Sequence, residues 1–116
     1  MTSDYKDPLV WQNGIPLVRR VYELTAAFPM DEGFGLVSQM RRAAVSIPSN
    51  IAAGQAHRTA GEFVQFLSHA EGSVAELDTQ LIIALGLGYC TNAKDIFDLI
   101  VELRGMLNAL RIRLAE

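Results

Sequence analysis

The sequence predicts an all-α protein, an up-down-up-down four-helix bundle whose second helix is kinked at Pro48. Three observations support this prediction. Apolar residues recur at helical spacing along most of the 116 residues, and no segment shows the alternation of a β-strand. Turn-forming residues divide the periodic stretch into four runs. The length suits a single domain over residues 1–116, with residues 1–14 predicted as an irregular lead-in.

Prolines and glycines set the predicted limits of the first two helices. The first begins at Pro16, because the missing N–H of proline costs nothing at the first helical position, and it ends before Pro29. The second extends from about Gly35 to Gly54, and Pro48 inside it should kink or split it. The residues predicted to face the core are Leu17, Val21, Leu24, Phe28, Leu36, Met40, Ala43, Ile47 and Ile51.

The third helix has the clearest pattern. Thr59 and Glu62 match the Ser/Thr-x-x-Glu capping box, which predicts a helix start at this point. Gly86 and Gly88 are predicted to end the helix. Its core positions alternate steps of four and three, as in the seam of a bundle: Phe63, Leu67, Ala70, Val74, Leu77, Leu81, Ala84 and Gly88.

The fourth helix is predicted from an N-cap at Asn92 to about Leu114, and it is apolar on nearly every side. One helix with two apolar faces has little polar surface left for solvent, so we expect self-association through it. A deeply central position in the monomer is the alternative. The predicted inward residues are Ile96, Leu99, Leu103, Met106, Leu110 and Leu114, and the second apolar face holds Phe97, Ile100, Val101 and Leu107.

Composition excludes several classes of protein. Half the residues are hydrophobic and 20% are charged, which is a globular balance. No apolar run approaches the ~20 residues of a membrane helix, and the first residues lack a signal peptide, so we expect a cytoplasmic protein without a membrane partner. A net charge of −3 disfavours non-specific coating of nucleic acid. Cys90, the single cysteine, excludes an intrachain disulfide and a Cys-rich metal site.

No pattern predicts an enzyme, a metal or another cofactor. Di-iron sites in bundles need Glu-x-x-His pairs, but Gly54 and Phe66 occupy the positions three before His57 and His69. No Ser/His/Asp or Cys/His arrangement is recognisable, and no small-molecule substrate is evident. We therefore expect a protein without catalytic residues.

A polar stripe lies beside the hydrophobic seam of the second and third helices. If these helices run antiparallel, the numbers of facing residues add up to about 119, because both rise equally per residue. Arg42 then faces Glu76, and Ser46 and Asn50 face Ser73 and His69. We expect a structural polar network that fixes the register of the two helices. A polar pocket is the alternative. The predicted network residues are Arg42, Ser46, Asn50, Ser73 and Glu76.

The same antiparallel arrangement separates charges between the ends of the bundle. One end should collect five arginines, which are candidate phosphate contacts because guanidinium groups match phosphate geometry. The basic end comprises Arg19, Arg20, Arg58, Arg111 and Arg113. The opposite, acidic end comprises Glu23, Asp31, Glu32, Asp78, Asp95, Asp98 and Glu102. We expect any nucleic-acid binding to be weak and to use the basic end.

A long central segment resembles a known signature, Phe34-Gly-Leu-Val-Ser-Gln-Met-Arg-Arg-Ala-Ala-Val-Ser-Ile-Pro-Ser-Asn-Ile-Ala-Ala-Gly54. Together with two later segments, this one is similar to the signature of the 23S rRNA-intervening-sequence protein family. The later segments are Glu62-Phe-Val-Gln-Phe-Leu67 and Gly72-Ser-Val-Ala-Glu-Leu-Asp-Thr-Gln-Leu81. Where the family usually reads Asn-Ile-Ala-Glu-Gly, this chain has Ala53 in place of the glutamate.

The resemblance implies a small bacterial four-helix bundle without enzymatic activity. Related members assemble as rings of five, which favours a pentamer here. A similar protein is the accessory variability determinant of diversity-generating retroelements, which acts with a reverse transcriptase and binds nucleic acid. We therefore expect a non-enzymatic, homo-oligomeric interaction protein whose partner is itself. The alternative is a nucleic-acid-binding accessory protein that acts with a reverse transcriptase.

Overall fold

The computed structural model describes residues 9–116, which form a four-helix bundle. The prediction of an all-α four-helix bundle is confirmed. The elements are α1 (Leu9–Thr25), a 3-10 turn (Met30–Glu32), α2 (Leu36–Ala56), α3 (Ala60–Gly86) and α4 (Lys94–Ala115). Within residues 9–116, no helix is both long enough and apolar enough to cross a membrane.

Ion pairs between α3 and α4 fix the relative direction of these two helices. Arg111 Nε lies 2.6 Å from Glu71 Oε1, and Arg104 Nη2 lies 3.8 Å from Asp78 Oδ2. Partner numbers on α4 fall as those on α3 rise, so the two helices run antiparallel.

The start of α1 differs from the sequence prediction. Residues 9–14 belong to the helix and not to an irregular lead-in, so Pro16 is an interior residue. Residues 1–8, the rest of the predicted lead-in, lie outside the described part of the chain. The early start is stabilised by packing, because Val10 and Gly14 are both buried one turn apart. Tertiary packing here outweighs the preference of proline for a first position.

The second interior proline does not split α2. Pro48 is buried within a single helix, Leu36–Ala56, and the predicted kink at this residue stays a prediction. A Cβ atom added at Gly14 of α1 would lie 3.3 Å from the Pro48 Cβ. The glycine therefore lets α1 approach the proline ring of α2 closely.

Arg41 of α2 holds the last turn of α1. Its Nε donates to the Thr25 hydroxyl at 2.9 Å, and that hydroxyl donates in turn to the Val21 carbonyl at 2.8 Å. The guanidinium also lies 4.4 Å above the centre of the Tyr22 ring and donates to the Tyr22 carbonyl at 3.4 Å. One side chain of α2 thus adds hydrogen bonds to two polar groups in the last turn of α1.

The predicted capping signals of α3 are confirmed. The Thr59 hydroxyl accepts a hydrogen bond from the Glu62 backbone N–H at 3.1 Å. At the other end, Gly88 has a φ of +77°, a backbone conformation that residues other than glycine rarely adopt. Tyr89 N–H then bonds to the Ala84 carbonyl, and Gly88 N–H to the Leu85 carbonyl, which is a Schellman motif.

The inward face of α4 is rotated relative to the prediction. Ile96, Ile100, Leu103 and Leu107 are fully buried, whereas the predicted Leu99, Met106, Leu110 and Leu114 are only partly buried. Two residues assigned to a second apolar face therefore belong to the core. The large apolar side chains left exposed on α4 are Val101 and Ile112. The apolar arc of α4 is wide, so periodicity alone did not locate its centre.

Candidate functional site

A short chain of hydroxyl groups joins α2 to α3. Ser46 Oγ lies 2.5 Å from Ser73 Oγ and 2.8 Å from the Ala43 carbonyl. A hydroxyl has one hydrogen, so the consistent arrangement has Ser73 donating to Ser46 and Ser46 donating to the carbonyl. Asn50 Nδ2 donates to the Ser46 carbonyl at 2.8 Å. The numbers of the two serines add up to 119, the predicted antiparallel register.

Beside the two serines, a polar groove of about 410 Å³ lies between α2 and α3, and we call it the α2–α3 groove. The residues that line it are Gln39, Arg42, Ala43 and Ser46 of α2 and Glu76 and Gln80 of α3.

Arg42 and Glu76 line this groove together, but both side chains are exposed. Within the part of the chain that the structure describes, no ion pair within 4.0 Å joins them. The structure therefore does not support a contact between Arg42 and Glu76 within the predicted polar network, whereas the predicted contact between Ser46 and Ser73 is present. Long side chains on adjacent helices can extend into solvent instead of pairing with each other.

Gln80 is the buried polar residue of the groove. The residue is 7% exposed, and its Oε1 atom has no hydrogen-bond partner within residues 9–116. Buried polar atoms without a partner are uncommon and costly. Gln39, which shares the groove, was missed by sequence reasoning. The register itself would have identified it, since the numbers of Gln39 and Gln80 also add up to 119.

The structure divides the five arginines that were predicted to form a basic end. Because α1 starts at Leu9, Arg19 and Arg20 lie well along that helix and not at its start. Arg20 Nε is 3.7 Å from Asp95 Oδ2 in the first turn of α4, a residue assigned to the opposite, acidic end. The predicted grouping of Arg19 and Arg20 at the basic end is therefore wrong.

Among the other three, Arg111 is paired with Glu71 at 2.6 Å, so part of its charge is neutralised. Arg58 and Arg113 are exposed and have no ion pair with another described residue. These two remain the candidate phosphate contacts of that end.

Groups that could support chemistry are few in the described residues. His57 Nδ1 lies 2.6 Å from the Ala53 carbonyl, and its Nε2 is 3.9 Å from Glu62 Oε2. His69 is exposed, edge-on to the Phe66 ring at 6.3 Å between centres. Burial raises the pKa of the Cys90 thiol, which disfavours the reactive thiolate. Within residues 9–116, no group of three or more His, Cys, Asp or Glu could hold a metal ion.

Comparison with known proteins agrees with the bundle and with the sequence motifs that run through α2 and α3. No curated protein matches the chain. A family model described as 23S rRNA-intervening sequence protein matches residues 6–109, which is most of the chain. The chain therefore belongs to the 23S rRNA-intervening sequence protein family.

Proposed function

We propose that the chain is a non-catalytic, cytoplasmic interaction protein that assembles with copies of itself through the outer face of α1 and α2. The observation that carries this proposal is an apolar groove of about 580 Å³ along that face, which we call the α1–α2 groove. Its lining residues are Trp11, Ile15, Val18, Arg19, Tyr22, Val45, Pro48, Ser49 and Ala52.

The composition of this groove is that of a protein interface. Three of its residues are well exposed: Ile15 at 37%, Tyr22 at 43% and Val45 at 40%. Among the described residues that line the groove, Arg19 is the one charged side chain. Cores of protein interfaces are enriched in aromatic residues and arginine and depleted of other charged residues. A contiguous apolar surface of this kind favours association in water.

A second depression, of about 670 Å³ and mixed character, adjoins the α1–α2 groove. It shares Tyr22 and Val45 with that groove, Arg41 and Arg42 also line it, and it extends to Phe34, whose side chain is fully exposed. Aromatic side chains at interfaces often contribute a large share of the binding energy. We therefore include Phe34 in the proposed surface.

A ring requires a second, different surface, because each subunit meets its neighbours through unlike faces. Ile82, Ile83 and Leu87, near the C-terminal end of α3, are 58%, 46% and 56% exposed and supply an apolar surface away from the α1–α2 groove. Membership of a family in which related members form rings of five favours a pentamer over other sizes.

Mass measurement by light scattering at micromolar concentration tests the proposal. The wild-type protein should give a mass several times 12.7 kDa. Val45→Lys should lower the mass, because it places a charge in the apolar groove. Val101→Lys, at an exposed position of α4, is the matched control and should leave the mass unchanged. The self-association first expected through α4 is not proposed, because Ile100 and Leu107 of its predicted second apolar face are buried in the core. A monomeric wild type contradicts the proposal, and so does dissociation by Val101→Lys alone.

A second proposal, weak nucleic-acid binding beside a reverse transcriptase, is supported by the unpaired Arg58 and Arg113. We expect dissociation constants no tighter than the ~10⁻⁴–10⁻⁶ M of non-specific contacts. Fluorescence anisotropy with labelled RNA and DNA measures them. Charge reversal of Arg58 and Arg113 should abolish binding, whereas nanomolar or salt-resistant binding would contradict the proposal.

A further inference from the structure

We propose that the α2–α3 groove binds a small zwitterion of the amino-acid class, with the ligand carboxylate on Arg42 and its ammonium group on Glu76. This inference does not require self-association. Glu76 and Gln80 lie outside the proposed contact surface, although Arg42 also lines the depression that adjoins the α1–α2 groove.

Unpaired charges of both signs are the first reason. At the α3–α4 interface, Arg104 and Arg111 each meet a carboxylate, whereas Arg58 and Arg113 are unpaired but line no groove with a carboxylate of the described residues. Arg42 and Glu76 line one groove, yet neither has an ion-pair partner within residues 9–116. A simple anion or cation would satisfy one of the two groups and be repelled by the other. A ligand with one charge of each sign satisfies both.

Direct pairing of Arg42 with Glu76 is the competing arrangement. Both side chains are exposed, and an exposed ion pair gains little because water screens the charges and two long side chains must be held still. A ligand therefore has little to displace. Arginine suits the carboxylate end, because its planar guanidinium accommodates two carboxylate oxygens together.

The third reason is the unsatisfied Gln80 oxygen. Gln80 lines the groove next to Glu76, is 7% exposed, and its Oε1 has no hydrogen-bond partner among the described residues. The ammonium group of the ligand has three N–H donors, so at least one stays available after it bonds to the Glu76 carboxylate. Rotation of the Gln80 amide toward the groove would let Oε1 accept one of them and would remove the cost of the unpaired acceptor.

The dimensions of the groove agree with a small ligand. Its volume of about 410 Å³ falls within the ~300–1,000 Å³ range typical of small-molecule sites. The hydroxyl groups of Ser46 and Ser73 already bond to each other, so they hold the two helices at this spacing and do not compete for the ligand.

Titration of isotope-labelled protein, followed by nuclear magnetic resonance, tests the inference. Glycine, β-alanine and γ-aminobutyrate are the zwitterionic probes, with acetate and methylammonium as ligands that carry one charge. We expect at least one zwitterion to bind ten times more tightly than either single-charge ligand and to shift the Gln80 side-chain amide. Equal affinity for acetate, or no shift at Gln80 with any probe, would overturn the inference.

Two neutral variants locate the charges. Arg42→Gln and Glu76→Gln should each weaken binding of the best zwitterion at least tenfold, and Arg104→Gln, outside the groove, should not. If Glu76→Gln tightens binding, the groove is an anion site and the inference is wrong. Light scattering on the same samples reports the oligomeric state separately, so that loss of ligand binding and loss of self-association are distinguishable.

Discussion

The Ser46 hydroxyl of α2 and the Ser73 hydroxyl of α3 lie 2.5 Å apart. The numbers of the two serines add up to 119, and the same register brings Arg42 to the level of Glu76 and Gln39 to the level of Gln80. The contact between the serines therefore supports the register in which these side chains share the α2–α3 groove.

Replacement of the two serines tests how much this contact contributes to stability. Ser46→Ala and Ser73→Ala should each lower the free energy of unfolding by about 1 kcal/mol, because each leaves a part-buried hydroxyl with fewer partners. The double variant should cost less than the sum of the two single variants, since the second alanine removes the hydroxyl left unpaired by the first. Urea denaturation measures all three, and strictly additive costs would contradict a direct bond.

Gly54 is predicted to be essential for the close approach of α2 and α3. A Cβ atom at this position would lie 2.8 Å from both Phe63 Cδ1 and Phe66 Cβ, and the second of these cannot rotate away. We expect Gly54→Ala to destabilise the protein by about 1–3 kcal/mol.

Gly72→Ala is the matched control for this substitution. Nothing lies within 4 Å of a Cβ added at Gly72, which is exposed in the interior of α3. Alanine should therefore stabilise that helix by up to about 1 kcal/mol. Thermal melts that move in the same direction for both variants would contradict the prediction.

The two groove charges and the α3–α4 ion pair should differ in their effect on stability. Arg42→Ala should change the free energy of unfolding by about 0–1 kcal/mol, because both Arg42 and Glu76 are exposed. Arg111→Ala should cost about 1–2 kcal/mol, since Arg111 bonds to the partly buried Glu71 at 2.6 Å. Denaturant titration of both variants measures the two losses of stability. A larger loss for Arg42→Ala than for Arg111→Ala would contradict the prediction.

A hydrogen bond between Glu32 and Tyr89 should make stability depend on pH. The Tyr89 hydroxyl donates to Glu32 Oε2 at 2.7 Å, and Leu36 N–H donates to Oε1 at 3.3 Å. The bond from Tyr89, followed by that from Leu36, lowers the pKa of Glu32 below its ordinary 4.5, and the same bond raises the pKa of Tyr89 above 10.0.

The direction in which stability changes with pH follows from these two pKa shifts. The folded carboxyl binds its proton less readily than the unfolded one, so its stabilisation is present above pH 4.5 and is lost as the pH falls through the lowered pKa. For Tyr89, stabilisation is present below pH 10.0 and is lost as the pH rises through the raised pKa. Tyr89→Phe should therefore destabilise most at intermediate pH, and a difference from wild type that is equal at pH 3 and pH 7 would contradict this.

Sequence reasoning located the features that depend on local chemistry. The hydrogen bond from Glu62 N–H to Thr59 and the positive φ of Gly88 follow from residue types at fixed spacing, so both were predictable. The α2–α3 register was predictable because two helices of equal rise joined by a short turn must pair at a constant sum of residue numbers.

Features that depend on tertiary packing were not predictable in this way. The periodicity of α4 could not decide between Leu99 and Ile100 as the inward residue, because the apolar arc is wide. The start of α1 depends on burial of Val10 and Gly14, which outweighs the preference of Pro16 for a first position. The exposure of Arg42 depends on where a long, flexible side chain extends, and helix spacing carries no information on that.

The contacts of Arg41 with the end of α1 have a consequence for the exchange of backbone amide hydrogens with solvent. Terminal helix turns ordinarily fray, so their amides exchange through local opening long before the whole protein unfolds. Here Arg41 bonds to both the Thr25 hydroxyl and the Tyr22 carbonyl, so this turn cannot open without breaking contacts to α2. Its amides should therefore exchange as slowly as those of the core, and the two helices should lose their protection together.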